Sequence, residues 1–406
     1  MRLINTFNKI LLFTNLFFLQ SYLLRFTIGA YPGNLQEILI AAQALLFLYT
    51  IIKTKTFLST VRNLKNHWII LSFAILTGIS LLLVPIENKL DLVRHLKFLF
   101  FALVLTFIFL ETFKTEEERK KGIIIAGLGA IVFGLFSVVY NLLGYNVAPD
   151  SRLLGPLDAA VYLGFYLTPF FIFFVIELFE NPYNKINLLY TLMLGILILM
   201  TQSIGSLGGS LIIILLYLFK RSELKILKKK LTKIILILAC AVFAVVIFYS
   251  KILPTIKTEY SSLDERGEIW ITSIKLLEEP RNLLLGVGFG QFQEKYFKNV
   301  DEALGKKPLD YYVLQPHNIF LLFIFQYGIL GLIFILFCIY KNIKNLVTAK
   351  GNSLLISANF ILLYFFIHGI IDTPFFKNDL LILFILFLEL GLTKSTLQPS
   401  HQSHQN

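Results

Sequence analysis

Three side chains that could take part in a reaction lie in or directly after residues 251–316, the longest polar stretch of the sequence. Arg266 and Trp270 are four residues apart, so a helix through them places both on one face. His317 follows at the start of the next apolar run. A guanidinium binds phosphate oxygens in pairs, and a neutral imidazole takes up a proton near pH 7. These residue types fit proton transfer beside a bound phosphate group.

Each of these residues also has a structural interpretation. A helix that Asp264 caps would lie on a membrane surface, with Trp270 as its interface anchor. Proline suits the first turn of a helix, so His317 after Pro316 should sit at the mouth of a membrane helix. A single histidine there is more often structural than catalytic. Its placement opposite Arg266 favours chemistry.

Further ionisable residues stand at the ends of apolar runs. Arg152, beside a Gly-Pro turn, suggests either anion binding or a salt bridge with Asp150 or Asp158. Ionisable groups at membrane depth usually pair or line a cavity. The remaining ones are Arg94, His95 and Lys97 in the run 92–112, and His368 and Asp372 in the run 354–375.

Together these residues predict one site rich in Arg, Lys and His, which fits the diphosphate of a lipid-linked substrate. Pairs of acidic residues of the Asp-x-Asp type are absent from the connectors predicted to lie on this side of the membrane. Such pairs are typical of divalent cation sites. We therefore expect no metal and no other cofactor.

The composition requires lipid as the solvent for most of the chain. Of 406 residues, 56% are hydrophobic and 15% charged, and the mean hydropathy is +0.74. The formal net charge of +12 comes from basic residues in short connectors between apolar runs. That distribution is typical of the basic residues that set the orientation of a membrane protein, and it argues against a nucleic-acid partner.

The apolar runs predict an all-α polytopic membrane protein of about 12 transmembrane helices. The stretch 201–210 is compatible with a broken helix or with a tight turn between two spans. The predicted spans are 9–25, 37–53, 68–86, 92–112, 122–144, 158–179, 186–202, 204–219, 232–250, 317–340, 354–375 and 378–393.

Lysine and arginine in short connectors mark the cytoplasmic side, most clearly in 220–233. Nine spans in 1–250 are thus followed by an outer loop, 251–316, by three spans in 317–394 and by a polar tail, 395–406. Both termini are expected in the cytoplasm. Inside the outer loop, Gly286-Val-Gly-Phe-Gly290 is better explained by a turn that needs small residues than by a dinucleotide fingerprint.

The order of these motifs resembles that of the O-antigen ligase and polymerase superfamily. The residues that carry the resemblance are Arg152-x-x-Gly155-Pro156, Arg266…Trp270, Pro280, Gly286-x-Gly288-x-Gly290, His317-Asn318 and Gly328…Gly331. The resemblance implies a GT-C-like glycosyltransferase of the bacterial inner membrane with a periplasmic active site. It would move a glycan from undecaprenyl diphosphate to a lipid or glycan acceptor, without a metal or a nucleotide sugar.

The resemblance also implies roles for single residues. Arg152 and Arg266 would hold the diphosphate, and His317 would act on the acceptor hydroxyl or assist the leaving group. Members of the family often have Ser-Arg near Ser203, where this chain has Ile204. A third contact to the anion would then come from Lys97 or Arg94. Supporting roles are expected for Trp270, Asn318, His368 and Asp372.

Several functions share this donor. The leading hypothesis is a ligase that joins the glycan to lipid A–core, and the alternatives are an O-antigen polymerase or a protein O-oligosaccharyltransferase. A flippase or other transporter of lipid-linked glycans is the hypothesis from another class. Transporters distribute polar residues through the membrane midplane. Here the charges gather at one face, which favours an enzyme.

Overall fold

The chain folds into a helical bundle. The computed structural model describes residues 2–28, 31–148, 150–222, 262–348, 352–373 and 377–393. The helices are α1 (Arg2–Phe17), α2 (Leu35–Lys53), α3 (Phe57–Asn63), α4 (Trp68–Leu83), α5 (Lys89–Thr112), α6 (Glu116–Leu142), α7 (Ala160–Glu180), α8 (Lys185–Thr201), α9 (Ile204–Ser222), α10 (Ser262–Leu277), α11 (Pro280–Leu285), α12 (Phe292–Leu304), α13 (Ile319–Thr348), α14 (Ser353–His368) and α15 (Asn378–Leu392). Two short 3₁₀ helices, Leu19–Leu23 and Leu64–Asn66, and a hairpin of β1 (Arg25–Ile28) and β2 (Tyr31–Asn34) are also present.

Helix α15 forms the centre of the bundle. Every residue from Asp379 to Leu392 is buried, as expected for a helix that is apolar all round. It packs mainly against α5 and α14, and the rings of Phe365 and Phe384 meet edge to face between α14 and α15. The last apolar run of the sequence is therefore the most enclosed element among the described residues.

The structure confirms an all-α membrane protein in its general architecture. Six described helices are long and apolar enough to cross a membrane, or seven if the bent pair α3–α4 is one span. Helices α8 and α14 are apolar but shorter. The predicted span 232–250 lies outside the described residues, as does the tail 395–406. The count of twelve spans stays a prediction.

The first predicted span, 9–25, was wrong in its second half. Helix α1 ends at Phe17, and the chain continues through a 3₁₀ helix into the hairpin, in which Arg25 pairs with Asn34. The all-α prediction did not include these strands. Phe26, Thr27 and Ile28 are β-formers, and an apolar run alone does not distinguish them from the end of a helix.

The stretch 201–210 contains a tight turn between two helices. Helix α8 ends at Thr201, Gln202 adopts a left-handed conformation with φ of +49°, and α9 begins at Ile204. The structure thus settles the choice that the sequence left open.

The two ends of the bundle carry different ion pairs. At one end, which we call the Lys120 end, Lys120 pairs with Glu177, and Arg221 lies 2.9 Å from Glu180. The pairs at the opposite end, the His317 end, are Lys97–Glu37 at 2.9 Å, Lys377–Asp158 at 3.1 Å and Arg266–Asp372 at 3.0 Å. The predicted site residues that form ion pairs at the His317 end are therefore drawn from several elements.

Helix α13 is interrupted at Gly328, where φ is +65° and ψ is −154°. A side chain at this position would meet the backbone, because a Cβ would lie 2.1 Å from the carbonyl oxygen of Leu284. The predicted span 317–340 is therefore corrected in two ways: it begins at Ile319, and it consists of two helical segments that meet at a glycine.

The glycine-rich turn 286–290 docks against this interruption. The backbone N–H groups of Val287 and Gly288 donate to the carbonyl of Phe325 at 3.0 and 3.2 Å. The N–H of Gly290 donates to Oε1 of Gln326 at 2.8 Å. All three glycines of the turn have positive φ, from +72° to +106°. The prediction of a turn that needs small residues is confirmed.

Candidate active site

Asp372 joins two of the predicted site residues. Its Oδ1 lies 2.8 Å from Nδ1 of His317, and its Oδ2 accepts a hydrogen bond from Nη2 of Arg266 at 3.0 Å. Asp372 itself is buried, with 4% of its surface exposed. An ionised carboxylate only accepts hydrogen bonds, so the proton of a neutral His317 lies on Nδ1. The lone pair then lies on Nε2.

The environment of Asp372 keeps it ionised. Burial opposes ionisation, but the hydrogen bond from His317 and the positive charge of Arg266 outweigh it. The pKa of Asp372 is therefore lowered to about 2. A fixed negative charge beside His317 orients the imidazole and stabilises its protonated form.

The backbone around His317 is held in an unusual conformation. His317 has a φ of +49°, in the left-handed region that costs a non-glycine residue free energy and is often found at functional sites. Asn318 caps α13, since its Oδ1 accepts from the N–H groups of Phe320 and Leu321 at 3.0 and 3.2 Å. Its Nδ2 donates to the carbonyl of Ile370 at 3.0 Å. Asn318 thus ties the His317 loop to the Asp372 loop.

Helix α10 presents Arg266 and Trp270 to the same loops, as their spacing predicts. Nε1 of Trp270 donates to the carbonyl of Pro316 at 3.0 Å, directly before His317. The indole therefore contacts the site rather than only anchoring the helix at an interface. The predicted cap was wrong, because α10 begins at Ser262 and Asp264 lies within its first turn.

His317 and Asp372 line a cavity of about 140 Å³, which we call the His317 cavity. Its other polar lining includes Glu265, Asp310 and Tyr312. Residues 312–315 also line it, and the preceding Leu309 donates its backbone N–H to Glu268 at 2.8 Å. A reacting hydroxyl group has room beside the imidazole here.

A second, larger cavity of about 410 Å³ adjoins it, and Tyr162, Leu314 and Gln315 line both. The larger cavity, which we call the basic cavity, is lined by the cationic side chains of Arg25, Arg94, Lys97 and Lys377 and by the carboxylates of Glu37 and Asp158. The excess of cations makes this cavity suited to an anion.

Residues 189–336, from α8 to beyond the interruption of α13, match the family model described as O-antigen ligase. This segment is therefore similar to the O-antigen ligase family. The resemblance that the motifs predict is thereby confirmed for this segment, which includes Arg266, Trp270 and His317. No curated protein matches the chain.

Five predicted site residues line neither cavity, and Arg266 is one of them although it contacts Asp372. The other four are Arg152, Trp270, Asn318 and His368. Nε of Arg152 lies 2.6 Å from Asp150, so among the described residues the salt bridge is the interaction it makes. His368 is buried with 1% exposed, and its Nδ1 lies 3.0 Å from the hydroxyl of Tyr364. Its ring packs edge-on against Phe165. Its backbone carbonyl accepts a hydrogen bond from the N–H of Asp372 at 3.0 Å.

Several lining residues were missed by the sequence reasoning. Arg25 was placed inside a predicted span, but it lies on the hairpin. Lys377 stands between two apolar runs, and its Nζ lies 3.7 Å from the centre of the Tyr162 ring. A lysine directly before the last span was the only local signal. No local sequence signal marks Tyr312 or Gln315 as a site residue, since polar residues are common in an outer loop.

Proposed function

We propose that this chain is an O-antigen ligase that transfers a glycan from undecaprenyl diphosphate to lipid A–core, at the periplasmic face of the bacterial inner membrane and without a metal or nucleotide sugar. The observation that carries the proposal is the hydrogen bond between Asp372 and Nδ1 of His317 at the wall of a cavity. It leaves Nε2 as the proton acceptor, and the similarity to the O-antigen ligase family supports the choice of substrates.

The reaction needs one proton acceptor and one stabilised leaving group. The acceptor hydroxyl oxygen forms a bond to the anomeric carbon of the glycan while the bond from that carbon to the diphosphate oxygen breaks. Nε2 of His317 takes the hydroxyl proton, and the imidazolium is stabilised by Asp372. Both electrons of the broken bond leave with undecaprenyl diphosphate, whose added negative charge must be stabilised by cations.

The basic cavity is where we place that leaving group. It adjoins the His317 cavity, and it contains Arg94 and Lys97, the two residues expected to supply an additional anion contact. Arg25 and Lys377 add two further cations. The main role of Arg266 is to hold Asp372 through a hydrogen bond, and its positive charge lies beside the same loops. For Arg152 a diphosphate role remains implied by the resemblance alone.

Purified protein in lipid nanodiscs, given a defined undecaprenyl diphosphate-linked glycan and a panel of acceptors, tests the proposal. Glycosylated lipid A–core and released undecaprenyl diphosphate are expected, with the rate unchanged in EDTA. Extension of the lipid-linked glycan would instead identify a polymerase, and a glycosylated peptide would identify a protein oligosaccharyltransferase. Movement of intact donor across a bilayer without any new glycosidic bond would favour the transporter.

The basic cavity has its own test in the same assay. Arg25→Gln and Lys377→Gln are expected to raise the KM for the donor, because each removes one cation from the leaving-group site. Lys121→Gln is the matched control, since Lys121 pairs with Glu117 at the Lys120 end. An unchanged donor KM in both cavity variants would remove the basic cavity from the mechanism.

A further inference from the structure

An aromatic platform extends from the His317 cavity across the outside of the loop region. It consists of Phe297 on α12 and of Tyr311 and Tyr312. The rings of Phe297 and Tyr312 stack with centroids 5.7 Å apart and planes 26° apart, and Tyr311 packs against Phe297 at 6.1 Å. Phe297 is 47% exposed and Tyr312 is 71% exposed. The fold does not bury these faces.

Carboxylates surround the platform. The hydroxyl of Tyr311 donates to Asp301 at 2.8 Å, and the backbone N–H of Tyr312 donates to Asp310 at 2.8 Å. Asp310 and Glu265 line the His317 cavity together with Tyr312. Flat apolar faces beside hydrogen-bond acceptors match a pyranose ring, which has an apolar C–H face and hydroxyl donors at its rim.

The chemistry of the platform differs from that of the basic cavity. The charged side chains that contact the platform or line the His317 cavity beside it, apart from His317, are carboxylates, whereas the basic cavity has an excess of cations. Carboxylates disfavour a phosphate or an anionic lipid headgroup. Tyr312 of the platform lines the His317 cavity, which shares Tyr162, Leu314 and Gln315 with the basic cavity. A sugar–diphosphate substrate has the same division, with an uncharged ring on one side of the reacting bond and charge on the other.

We propose that Tyr312 and Phe297 form a glycan-binding subsite that stacks on a pyranose ring of a substrate. The proposal rests on the proposed function, and it adds the recognition of the sugar itself. Because Tyr312 and His317 line the same cavity, a sugar ring stacked on Tyr312 would lie near the proposed reacting bond. Tyr312 and Phe297 are binding residues here, and they take no part in proton transfer.

Binding of free glycans tests this subsite without any catalysis. The probes are the oligosaccharide released from the donor by mild acid and the core oligosaccharide of the acceptor, both without lipid. Their dissociation constants are measured by titration of the detergent-purified protein with ligand-observed NMR. Tyr312→Ala is expected to weaken binding of one probe about tenfold, while Tyr312→Phe keeps the ring and the affinity. The weakened probe identifies the substrate that the platform holds.

Tyr145→Ala is the matched control. Tyr145 is also an exposed tyrosine, 57% exposed and packed against Tyr140, and it lines neither of the two cavities. His317→Ala should bind the same probe with wild-type affinity, so a failure of transfer chemistry leaves this result intact. Equal affinities of the wild type and Tyr312→Ala for both probes, or no binding by the wild type, would overturn the subsite. Absence of glycan binding by the wild type is the result expected of a platform that only anchors the loop to lipid.

Discussion

At the scale of single residues, the site depends on how three distant positions meet. Asp372 lies 106 positions from Arg266 and 55 from His317 along the chain, yet its two carboxylate oxygens contact both side chains. The carboxylate selects the tautomer of the imidazole, and the arginine neutralises the charge that burial would otherwise make costly. Substitution of any one of the three is therefore expected to change the hydrogen bonding or the charge environment of the other two.

Asp372→Asn is expected to lower kcat by about 10²–10⁴, because an amide no longer fixes the proton on Nδ1 of His317. Donor binding in the basic cavity should change little. Glu180→Gln, which removes the partner of Arg221 at the Lys120 end, is the control and should keep wild-type turnover. A fully active Asp372→Asn protein would mean that His317 is not oriented by this carboxylate.

The pKa of Asp372 sets where its contribution to stability is lost. It is lowered from its ordinary value to about 2, so the ionised group stabilises the fold above about pH 4, and this stabilisation is lost as the pH falls toward 2. The difference in Tm between the wild type and Asp372→Asn should therefore shrink as the pH falls from about 4 toward 2. A difference that stays constant over that range would contradict the lowered pKa.

Trp270 gives a prediction that separates a membrane anchor from a positioning residue. Trp270→Phe keeps an aromatic ring but loses the hydrogen bond to Pro316, which costs about 1 kcal/mol and should lower kcat several-fold through the position of His317. Trp68→Phe is the control, since Nε1 of Trp68 makes no hydrogen bond among the described residues. Equal, unchanged kcat values for both variants would favour the anchor.

At the scale of elements, the interruption of α13 and the turn 286–290 form one unit. Gly328→Ala is expected to destabilise the protein by about 1–3 kcal/mol from backbone conformation alone, with added overlap on Leu284. Gly267→Ala lies in α10 with nothing within 4 Å of the added Cβ, and it should be neutral or stabilise by up to about 1 kcal/mol. Thermal unfolding in detergent measures both, and equal Tm values would contradict the close approach at Gly328.

The sequence predicts the membrane helices well but not the hairpin or the interruption of α13, and the difference has a physical reason. Apolar runs predict most membrane helices within a few residues, since burial in lipid depends on composition over about 20 positions. The hairpin at Arg25 and the interruption at Gly328 depend on tertiary contacts, and local composition does not encode them. The cluster of Arg266, His317 and Asp372 is predicted as a group because Arg266 lies in the predicted outer loop, and His317 and Asp372 lie at predicted span ends on the same side. Its hydrogen bonds required the packed structure.

At the scale of the whole molecule, the fold separates two charged ends around the central helix α15. Ion pairs of Lys120 and Arg221 gather at one end, and the two cavities lie at the other. From the positive-inside rule we expect the Lys120 end in the cytoplasm and the His317 end in the periplasm. The polar loop region with α10, α11 and α12 would then face the compartment in which we propose that glycan transfer takes place.

Cysteine labelling tests this orientation. In a background with Cys240 and Cys338 replaced by Ala, Glu302→Cys on α12 should react in intact spheroplasts with a maleimide that does not cross the membrane. Lys121→Cys at the Lys120 end should react only after permeabilisation. Both positions are exposed, so accessibility to solvent is matched. The opposite labelling pattern would invert the topology and move the site to the cytoplasmic face.

The central claim is that His317 performs the proton transfer while the basic cavity holds the diphosphate. The most direct measurement is single-turnover cleavage of the glycan–diphosphate bond by His317→Ala in nanodiscs, alongside the dissociation constant of the donor. The predicted result is a rate lower by about 10²–10⁴ with donor affinity close to that of the wild type. A correctly inserted His317→Ala protein that transfers glycan at the wild-type rate would contradict the mechanism.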